Sequence, residues 1–154
     1  MISIMSNQLG FKTKRIVFEV EKGEIKKFAA AIGETNPLYT DEEFAEKSKW
    51  GALLAPPTFP TVFRSQQRIQ LEDIQGTRLH GSQSYEYYQP IKAGMKIACE
   101  TVFKDLYTKT NANSNLVFAI FEQLGTNIET DELVFKGIQT SIYRQRSEKF
   151  EQQF

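Results

Sequence analysis

Near its start the chain changes from an alternating to a helical pattern of apolar residues. The stretch RIVFEV (15–20) alternates apolar and polar positions and predicts a strand with Ile16, Phe18 and Val20 on one face. The following stretch, EKGEIKKFAAAI (21–32), has its apolar residues at helical spacing and predicts a helix. Those apolar residues are Ile25, Phe28, Ala29 and Ile32. Gly33 comes next, and glycine is a residue at which helices commonly end.

Two further helices are predicted before the middle of the chain. The stretch TDEEFAEKS (40–48) opens with residues that cap helices and has acids in its first turn, so we expect a short helix. A longer helix is predicted from about Thr58 to Leu71. It follows Pro56 and Pro57, because proline is tolerated at the opening of a helix but not in its interior.

The second half of the chain has the pattern of long strands joined by the short turns QPIKAG, NANSN and ETDE. The predicted strands lie in RLHGSQSYEYYQP, GMKIACETVFKDLYTKT, NLVFAIFEQLGTNI and ELVFKGIQTSIYRQ. This order indicates an α+β fold in which a curled antiparallel sheet wraps around one long central helix. We expect a single domain over 1–154, with its core at about 15–144 and a polar C-terminal tail.

Composition narrows the classes of function. Lys+Arg and Asp+Glu both number 19, so the basic excess of a nucleic-acid-binding protein is missing. No apolar run reaches the ~20 residues of a membrane span, and the first residues lack the pattern of a secretory signal. Cys99 is the single cysteine, which fits a reducing compartment and a buried structural thiol. We therefore expect a cytoplasmic protein, without a metal site because only one histidine is present.

Three segments together resemble a known family. They are IGETNPLY (32–39), WGALLAPPTFPTVF (50–63) and LHGSQSYEYYQPIKAGMKI (79–97). In order and spacing they resemble the MaoC-like hot-dog proteins, which are R-specific enoyl-thioester hydratases and 3-hydroxyacyl-thioester dehydratases. The last two segments most closely resemble the N-terminal-type dehydratase subgroup. That subgroup includes the non-catalytic partner subunit of heterodimeric hydroxyacyl-carrier-protein dehydratases.

The resemblance places the family's catalytic loop, Asp-x-Asn-Pro-Leu-His, on residues 34–39. Asn36 and Pro37 match the family and are expected to shape the substrate site. The Asp position falls on Glu34, which extends the carboxylate by one methylene, and a shift of about 1 Å can cost about 100-fold in rate. The His position falls on Tyr39, and tyrosine, which ionises near pH ~10 in solution, is a poor base at neutral pH. Both catalytic positions are therefore degenerate. By turn chemistry alone, the same stretch is an Asn-Pro turn with a core aromatic.

A second part of the expected site is the segment that enters the central helix. In the family a His-Gly pair here supplies a backbone N–H that stabilises the thioester oxyanion. The pair falls on Pro56 and Pro57, and proline has no N–H. Losing one such donor typically costs about 10²–10³ in rate. The N–H of Thr58 or Phe59 could replace it, and we expect Ala55 through Thr58 to contact substrate.

For the other candidate residues, the sequence allows either a functional or a structural role. His80 is either a third catalytic candidate, which would pair with Glu34 in place of Tyr39, or a structural hydrogen-bonding residue; histidine is the side chain that ordinarily titrates near neutrality. Arg64 or Arg68 either binds the phosphates of coenzyme A or a carrier-protein arm, or lies on a solvated helix face. The aromatic residues expected within the sheet or at a subunit contact are Tyr85, Tyr87 and Tyr88.

The resemblance implies an obligate dimer whose two sheets join edge to edge, with an acyl tunnel between the subunits. One hypothesis is a catalytically impaired subunit that binds (3R)-hydroxyacyl or trans-2-enoyl thioesters and works with a catalytic hot-dog partner. A second is an autonomous hydratase or dehydratase using Glu34, or another hot-dog activity such as an acyl-CoA thioesterase. A third is a homodimeric acyl-thioester sensor. None requires a cofactor, because an acyl-CoA or acyl-carrier-protein thioester is itself the substrate.

Overall fold

A computed structural model describes residues 8–64, 77–110 and 114–146 of the chain. Its main feature is a five-stranded antiparallel sheet in the order β1-β3-β4-β5-β2. The strands are β1 (Ile16–Glu19), β2 (Thr77–Tyr87), β3 (Lys96–Thr110), β4 (Ser114–Asn127) and β5 (Leu133–Arg146). The predicted strands are therefore confirmed, and with them the α+β class.

The helices lie between β1 and β2. They are α1 (Lys22–Ala31), α2 (Pro37–Thr40) and α3 (Glu42–Lys47), and a 3-10 turn follows at Phe59–Val62. Helix α1 buries Ile25 and Ala29, as its spacing predicts. Ile32 was expected on the same face but is 50% exposed, because the helix ends at Ala31 and the next residue already turns away as its C-cap. Within the described residues, no helix is long and apolar enough to cross a membrane.

The predicted helix from Thr58 to Leu71 is a short 3-10 turn in its described part. The turn ends at Val62, and Phe63 has a ψ of 69°, outside helical geometry. The N–H of Phe63 donates to the carbonyl of Pro60 at 3.1 Å, a bond between residues three apart that tightens the chain. Pro60 has no N–H for a regular helical bond in this turn. The rest of the predicted helix, residues 65–71, lies outside the described residues.

The main core packs aromatic rings against one face of the sheet, which we call the inner face. Phe63 is central: its ring lies 5.5 Å from that of Phe59 and 6.0 Å from that of Phe135. Gly125 on β4 faces Phe135 so closely that a Cβ there would lie 2.1 Å from the ring. Burying large aromatic side chains is the main source of stability in such a core. A second cluster on the same sheet contains Phe103, Val117, Ala119 and Tyr143.

A β-bulge in β2 controls which side chains reach the inner face. The register with β5 shifts between His80 and Ser82, at Gly81. A Cβ at Gly81 would lie 2.9 Å from the Ile142 side chain, so only glycine fits without displacing that neighbour. Because the extra residue changes the alternation of the strand, His80 and Gln83 line the same cavity.

Candidate functional site

Residues 33–41, which we call the motif loop, are held mainly by their own hydrogen bonds. Gly33 adopts a φ of 69°, a conformation that residues other than glycine rarely adopt. Glu34 then folds its carboxylate back onto the chain. Its Oε1 accepts the N–H of Thr35 and the N–H of Asn36, each at 2.9 Å. In this structure one oxygen of the carboxylate therefore acts as a shape-setting acceptor.

Asn36 and Pro37 begin a short helix inside the motif loop. The Asn36 Oδ1 accepts the N–H of Leu38 at 3.0 Å, and Pro37 is the first residue of α2. The Asn36 carbonyl also accepts the hydroxyl of Thr40 at 3.1 Å. The sequence analysis placed only a turn here. An Asn cap followed by proline is a helix-start signal and could have predicted α2.

The motif loop lies against the proline-rich segment that resembles the helix entrance. The N–H of Leu54 donates to the carbonyl of Leu38 at 2.9 Å, which joins the two segments directly. The neighbouring Ala55 and Pro56 are buried, whereas Pro57 and Thr58 are exposed. The fold thus brings together two segments that the sequence analysis had assigned separately to the substrate site.

Tyr87, at the end of β2, completes this group. Its hydroxyl donates to the carbonyl of Pro57. Burial, followed by the neighbouring Tyr85 and Tyr39, raises the pKa of Tyr87. Its phenol therefore stays neutral near pH 7 and serves as a hydrogen-bond donor. From sequence, Tyr87 is expected only within the sheet or at a subunit contact, because its position against Pro57 depends on the fold.

The two alternative oxyanion donors have different surroundings. The N–H of Phe59 already donates to the carbonyl of Pro56 at 2.9 Å, which closes the start of the 3-10 turn. The N–H of Thr58 has no partner among the described residues, and Thr58 is exposed. Pro57 can donate nothing. Of the donors considered, Thr58 is the one available to a thioester carbonyl.

A cavity of about 460 Å³, which we call the inner cavity, opens on the inner face of the sheet. Its basic lining residues are Arg64, Arg78 and His80. The remaining lining is mostly amide, hydroxyl and aromatic: Thr13, Pro60, Thr61, Phe63, Gln83, Tyr85, Thr101, Phe121, Gln123, Gln139, Ser141 and Tyr143. None of the described lining residues is acidic. Glu34, Asn36 and Tyr39 do not line this cavity, so the structure places His80 apart from the motif loop.

Tyr85 connects the two places. It lines the inner cavity, and its ring lies 6.2 Å from that of Tyr87 beside the motif loop. Burial is the main factor that raises the pKa of Tyr85, to about 12, and the nearby Arg64 opposes the shift. The inner cavity therefore begins one aromatic residue away from Tyr87, which binds the Pro57 carbonyl.

The thiol of Cys99, in the main core, is unreactive at neutral pH. Cys99 is buried, as predicted, and burial raises the pKa of its thiol to about 12. A thiol that stays protonated at neutral pH is a poor nucleophile. Among the residues that the structure describes, no group of three or more His, Cys, Asp or Glu side chains is placed to hold a metal ion.

The sequence is related to proteins of actinobacteria. It is 33% identical over 95 residues to a UPF0336 protein of Thermobifida fusca, a match over 58% of this chain and 62% of that protein. The chain thus spans less than two thirds of that relative. It is also 33% identical over 129 residues to the UPF0336 protein of Leifsonia xyli, covering 77% of this chain and 85% of the relative.

Solved structures share the fold at low sequence identity. The (3R)-hydroxyacyl-ACP dehydratase complex HadBC of Mycobacterium tuberculosis matches with a TM-score of 0.70 and 23% identity, over 88% of this chain and 96% of that chain. The ChsH1-ChsH2 complex of the same organism matches with a TM-score of 0.76 and 15% identity, over 95% and 91%. The family profile described as the FAS1-like dehydratase domain region matches residues 7–136. The chain therefore belongs to the FAS1-like dehydratase family and has the hot-dog fold of the MaoC-like dehydratases and hydratases.

Proposed function

We propose that this chain is a cytoplasmic acyl-thioester-binding subunit that works with a catalytic hot-dog partner. Its ligands are (3R)-hydroxyacyl or trans-2-enoyl thioesters of coenzyme A or acyl carrier protein, and the pair performs hydration or dehydration. The supporting observation is the motif loop. It matches the family's loop at Asn36 and Pro37, yet Tyr39 stands at the position of the family's histidine and the Oε1 of Glu34 is engaged by two backbone donors.

The edge of the sheet supports a partner. Strand β2 pairs with β5 on one side and is the last strand of the sheet in the described residues. An exposed strand edge invites pairing with another chain, and soluble proteins usually protect it. Leu79 on β2 is 49% exposed. HadBC and ChsH1-ChsH2 are each complexes, as their names state, which fits a subunit that functions in a pair.

The described residues suggest what this chain would contribute. The exposed N–H of Thr58 would donate to the thioester carbonyl, where negative charge develops when a proton leaves the α carbon. The Tyr87 phenol holds the Pro57 carbonyl and so fixes the segment that carries this donor. The partner would supply the proton-transferring Asp and His. The chain would thus bind and orient the acyl group without moving protons itself.

A second function, an autonomous hydratase, is favoured by one feature of Glu34. Only Oε1 accepts hydrogen bonds from the described residues, which leaves Oε2 for a water molecule. In that case Glu34 would be the general base and Tyr39 the hydrogen-bond donor. The two functions differ in what the pure protein can do.

The test is hydration of crotonyl-CoA, followed by loss of absorbance of the conjugated thioester. We expect no turnover by the pure protein, and turnover after co-expression with a hot-dog subunit from the same genome that keeps the Asp-x-Asn-Pro-x-His loop. Hydration by the pure protein that is lost in Glu34→Gln, but kept in the matched variant Glu24→Gln on α1, would establish the autonomous enzyme instead. Saturable binding of acyl-CoA without turnover, alone or with such a partner, would favour a sensor.

A further inference from the structure

We propose that the inner cavity binds a carboxylate at the far end of the acyl group, so that the preferred ligand is a monothioester of a dicarboxylic acid. The inference rests on the proposed function, because the thioester end is placed beside the motif loop. It goes further by assigning the chemical class of the acyl group from the charges of the cavity.

The basic residues of the inner cavity lack acidic partners. Arg64 and Arg78 both line it, and neither forms an ion pair with a carboxylate of the described residues. His80 lines the same space, and none of the described lining residues is Asp or Glu. Two guanidinium groups around one cavity produce a positive potential that a bound anion would neutralise. Arginine is also the side chain best suited to bind a carboxylate through paired N–H donors.

Arg78 is held in place for such a contact. Its Nη2 donates to the Oγ of Ser141 at 3.1 Å, and Ser141 is fully buried. The guanidinium also lies over the Tyr143 ring, with its carbon 5.9 Å from the ring centroid. A guanidinium has five N–H donors, so most remain available after the bond to Ser141. The orientation is therefore set by the sheet, while the donors stay free for a ligand.

The polar lining disfavours a plain hydrocarbon chain. The Gln83 side chain lines the cavity and has no hydrogen bond to the described residues, while the Gln123 side chain uses its amide N–H to bind the Phe63 carbonyl at 2.8 Å. An apolar acyl tail would remove water from Gln83, Arg78 and His80 without replacing their hydrogen bonds, which is unfavourable. A terminal carboxylate accepts several hydrogen bonds at once and would satisfy them. The aromatic rings of Phe63 and Phe121 remain as contacts for the methylene groups.

The position of the cavity fits the length of an acyl group. Tyr87 donates its hydroxyl to the Pro57 carbonyl, next to Thr58, and the Tyr85 ring, 6.2 Å from the Tyr87 ring, lines the inner cavity. A thioester placed at Thr58 therefore directs its acyl tail past Tyr85 toward Arg64 and Arg78. A volume of about 460 Å³ is within the usual range for small-ligand sites.

The test compares matched acyl groups on two carriers by isothermal titration calorimetry with the full chain. Adipoyl-CoA and hexanoyl-CoA have acyl chains of equal length and differ in the terminal carboxylate. S-adipoyl-pantetheine and S-hexanoyl-pantetheine repeat the comparison without any phosphate. We expect adipoyl thioesters to bind about 10- to 100-fold more tightly than hexanoyl thioesters on both carriers, since hydrogen bonds between charged groups are stronger than those between neutral groups.

Single variants locate the effect. Arg78→Gln and Arg64→Gln should each reduce the preference for adipoyl over hexanoyl, and Arg78→Lys should retain part of it because the charge remains. Arg144→Gln is the matched control: Arg144 is exposed and follows Tyr143 on β5, so its side chain projects from the opposite face of the sheet. It should leave the preference unchanged. Thermal unfolding of each variant confirms that it is folded.

The possible outcomes distinguish failure of the dicarboxylate assignment from failure of acyl-thioester binding itself. Equal or tighter binding of hexanoyl thioesters would overturn the dicarboxylate assignment and leave acyl-thioester binding intact. Binding that depends on the coenzyme A phosphates and on the arginines, but not on the acyl end, would also overturn it, because the arginines would then be a phosphate site. Absence of binding by all four thioesters would overturn the proposed function and this inference with it.

Discussion

The motif loop and the inner cavity satisfy their polar groups in opposite ways. In the motif loop, Glu34 and Asn36 bond to backbone N–H groups only one or two residues away. In the inner cavity, the side chains of Gln83 and His80 have no hydrogen-bond partner among the described residues, and the Arg78 side chain uses one donor. The loop is therefore complete as a local structure, whereas the cavity contains donors that remain for a ligand.

This difference indicates which property each region preserves. In the motif loop the Oε1 of Glu34 and the Oδ1 of Asn36 fix the backbone through local hydrogen bonds, so the shape of the loop does not depend on the side chain at Tyr39. In the inner cavity the side chains of Arg64, Arg78 and His80 are exposed, and no buried side-chain donor or acceptor of the described residues lacks a partner, so these donors are open to water or to a ligand. This contrast supports the proposal that the chain binds the acyl group and that a partner supplies the proton-transferring residues.

The largest effect is expected in the aromatic cluster beside the inner cavity. Gly125→Ala would place a Cβ 2.1 Å from the Phe135 ring, which is fully buried against Phe63 and Tyr85 and has no space to move. We expect a loss of about 3 kcal/mol in the free energy of unfolding, at the upper end of typical overpacking costs. Urea denaturation measures it. Gly23→Ala on α1, where a Cβ meets nothing within 4 Å, is the control and should be neutral or slightly stabilising. Equal stability of the two variants would contradict close packing here.

Replacing a glycine by alanine in the motif loop should also lower the free energy of unfolding, but through backbone strain and not through a steric clash. Gly33→Ala introduces no contact within 4 Å, but it forces an L-residue to a φ of 69°. The expected cost is about 1–2 kcal/mol of backbone strain. Gly33→Asn should recover part of this loss, since asparagine tolerates the left-handed conformation better than alanine. If alanine and asparagine are equally destabilising in urea denaturation, the conformation of Gly33 is not what limits the loop.

The sequence predicts much of this fold because its elements are locally consistent. All five strands and helices α1 and α3 lie where apolar periodicity and caps place them. The Asp41 carboxylate, for example, caps α3 by accepting the N–H of Phe44 at 3.0 Å. Helix α2 has a local signal in Asn36-Pro37 that the sequence analysis interpreted as a turn.

Contacts that depend on strand register are harder to predict from the sequence. Tyr87 reaches Pro57, and Arg78 reaches Ser141, across 30 and 63 residues of chain. No spacing rule links such distant positions. Gly81 within a strand was a visible sign of a bulge. The side chains that the bulge brings into the inner cavity depend on the pairing of β2 with β5.

Raising the pH should lower the free energy of unfolding through Cys99 on the inner face, and not through the motif loop. Burial raises the pKa of Cys99 to about 12 from an ordinary value of about 9, so the folded state keeps a proton that the unfolded state loses. Stability is therefore full below about pH 9 and falls as the pH rises toward 12. We expect a loss of roughly 1 kcal/mol between about pH 8 and about pH 10 from this thiol.

Cys99→Ala should flatten this alkaline dependence in urea titrations, while Glu34→Gln in the motif loop should leave it unchanged. A wild-type slope retained in Cys99→Ala would assign the effect to other groups, with Tyr85 the first to examine because burial raises its pKa to about 12.

The smallest effect on stability is expected from the exposed ion pairs that join α1 to α3, the helices on either side of the motif loop. Glu42 on α3 accepts the ammonium groups of Lys22 at 2.8 Å and Lys26 at 2.6 Å, both on α1. The hydrogen bond from Lys22, then that from Lys26, lowers the pKa of Glu42 to about 2. Because the folded state holds this carboxylate ionised more strongly than the unfolded state, its stabilisation is present above about pH 4.5 and is lost as the pH falls toward 2.

Glu42→Gln should therefore reduce the acid sensitivity of the melting temperature slightly, and added salt should shrink the difference because these charges are exposed. Glu43→Gln is the matched control, since Glu43 pairs with Lys47 inside α3 at 2.5 Å and does not connect the two helices. If Glu42 closes the loop, only Glu42→Gln will also speed amide exchange of Thr35 and Asn36, whose N–H groups bond to Glu34. Unchanged exchange in both variants would mean that the motif loop holds its shape without help from the helices that flank it.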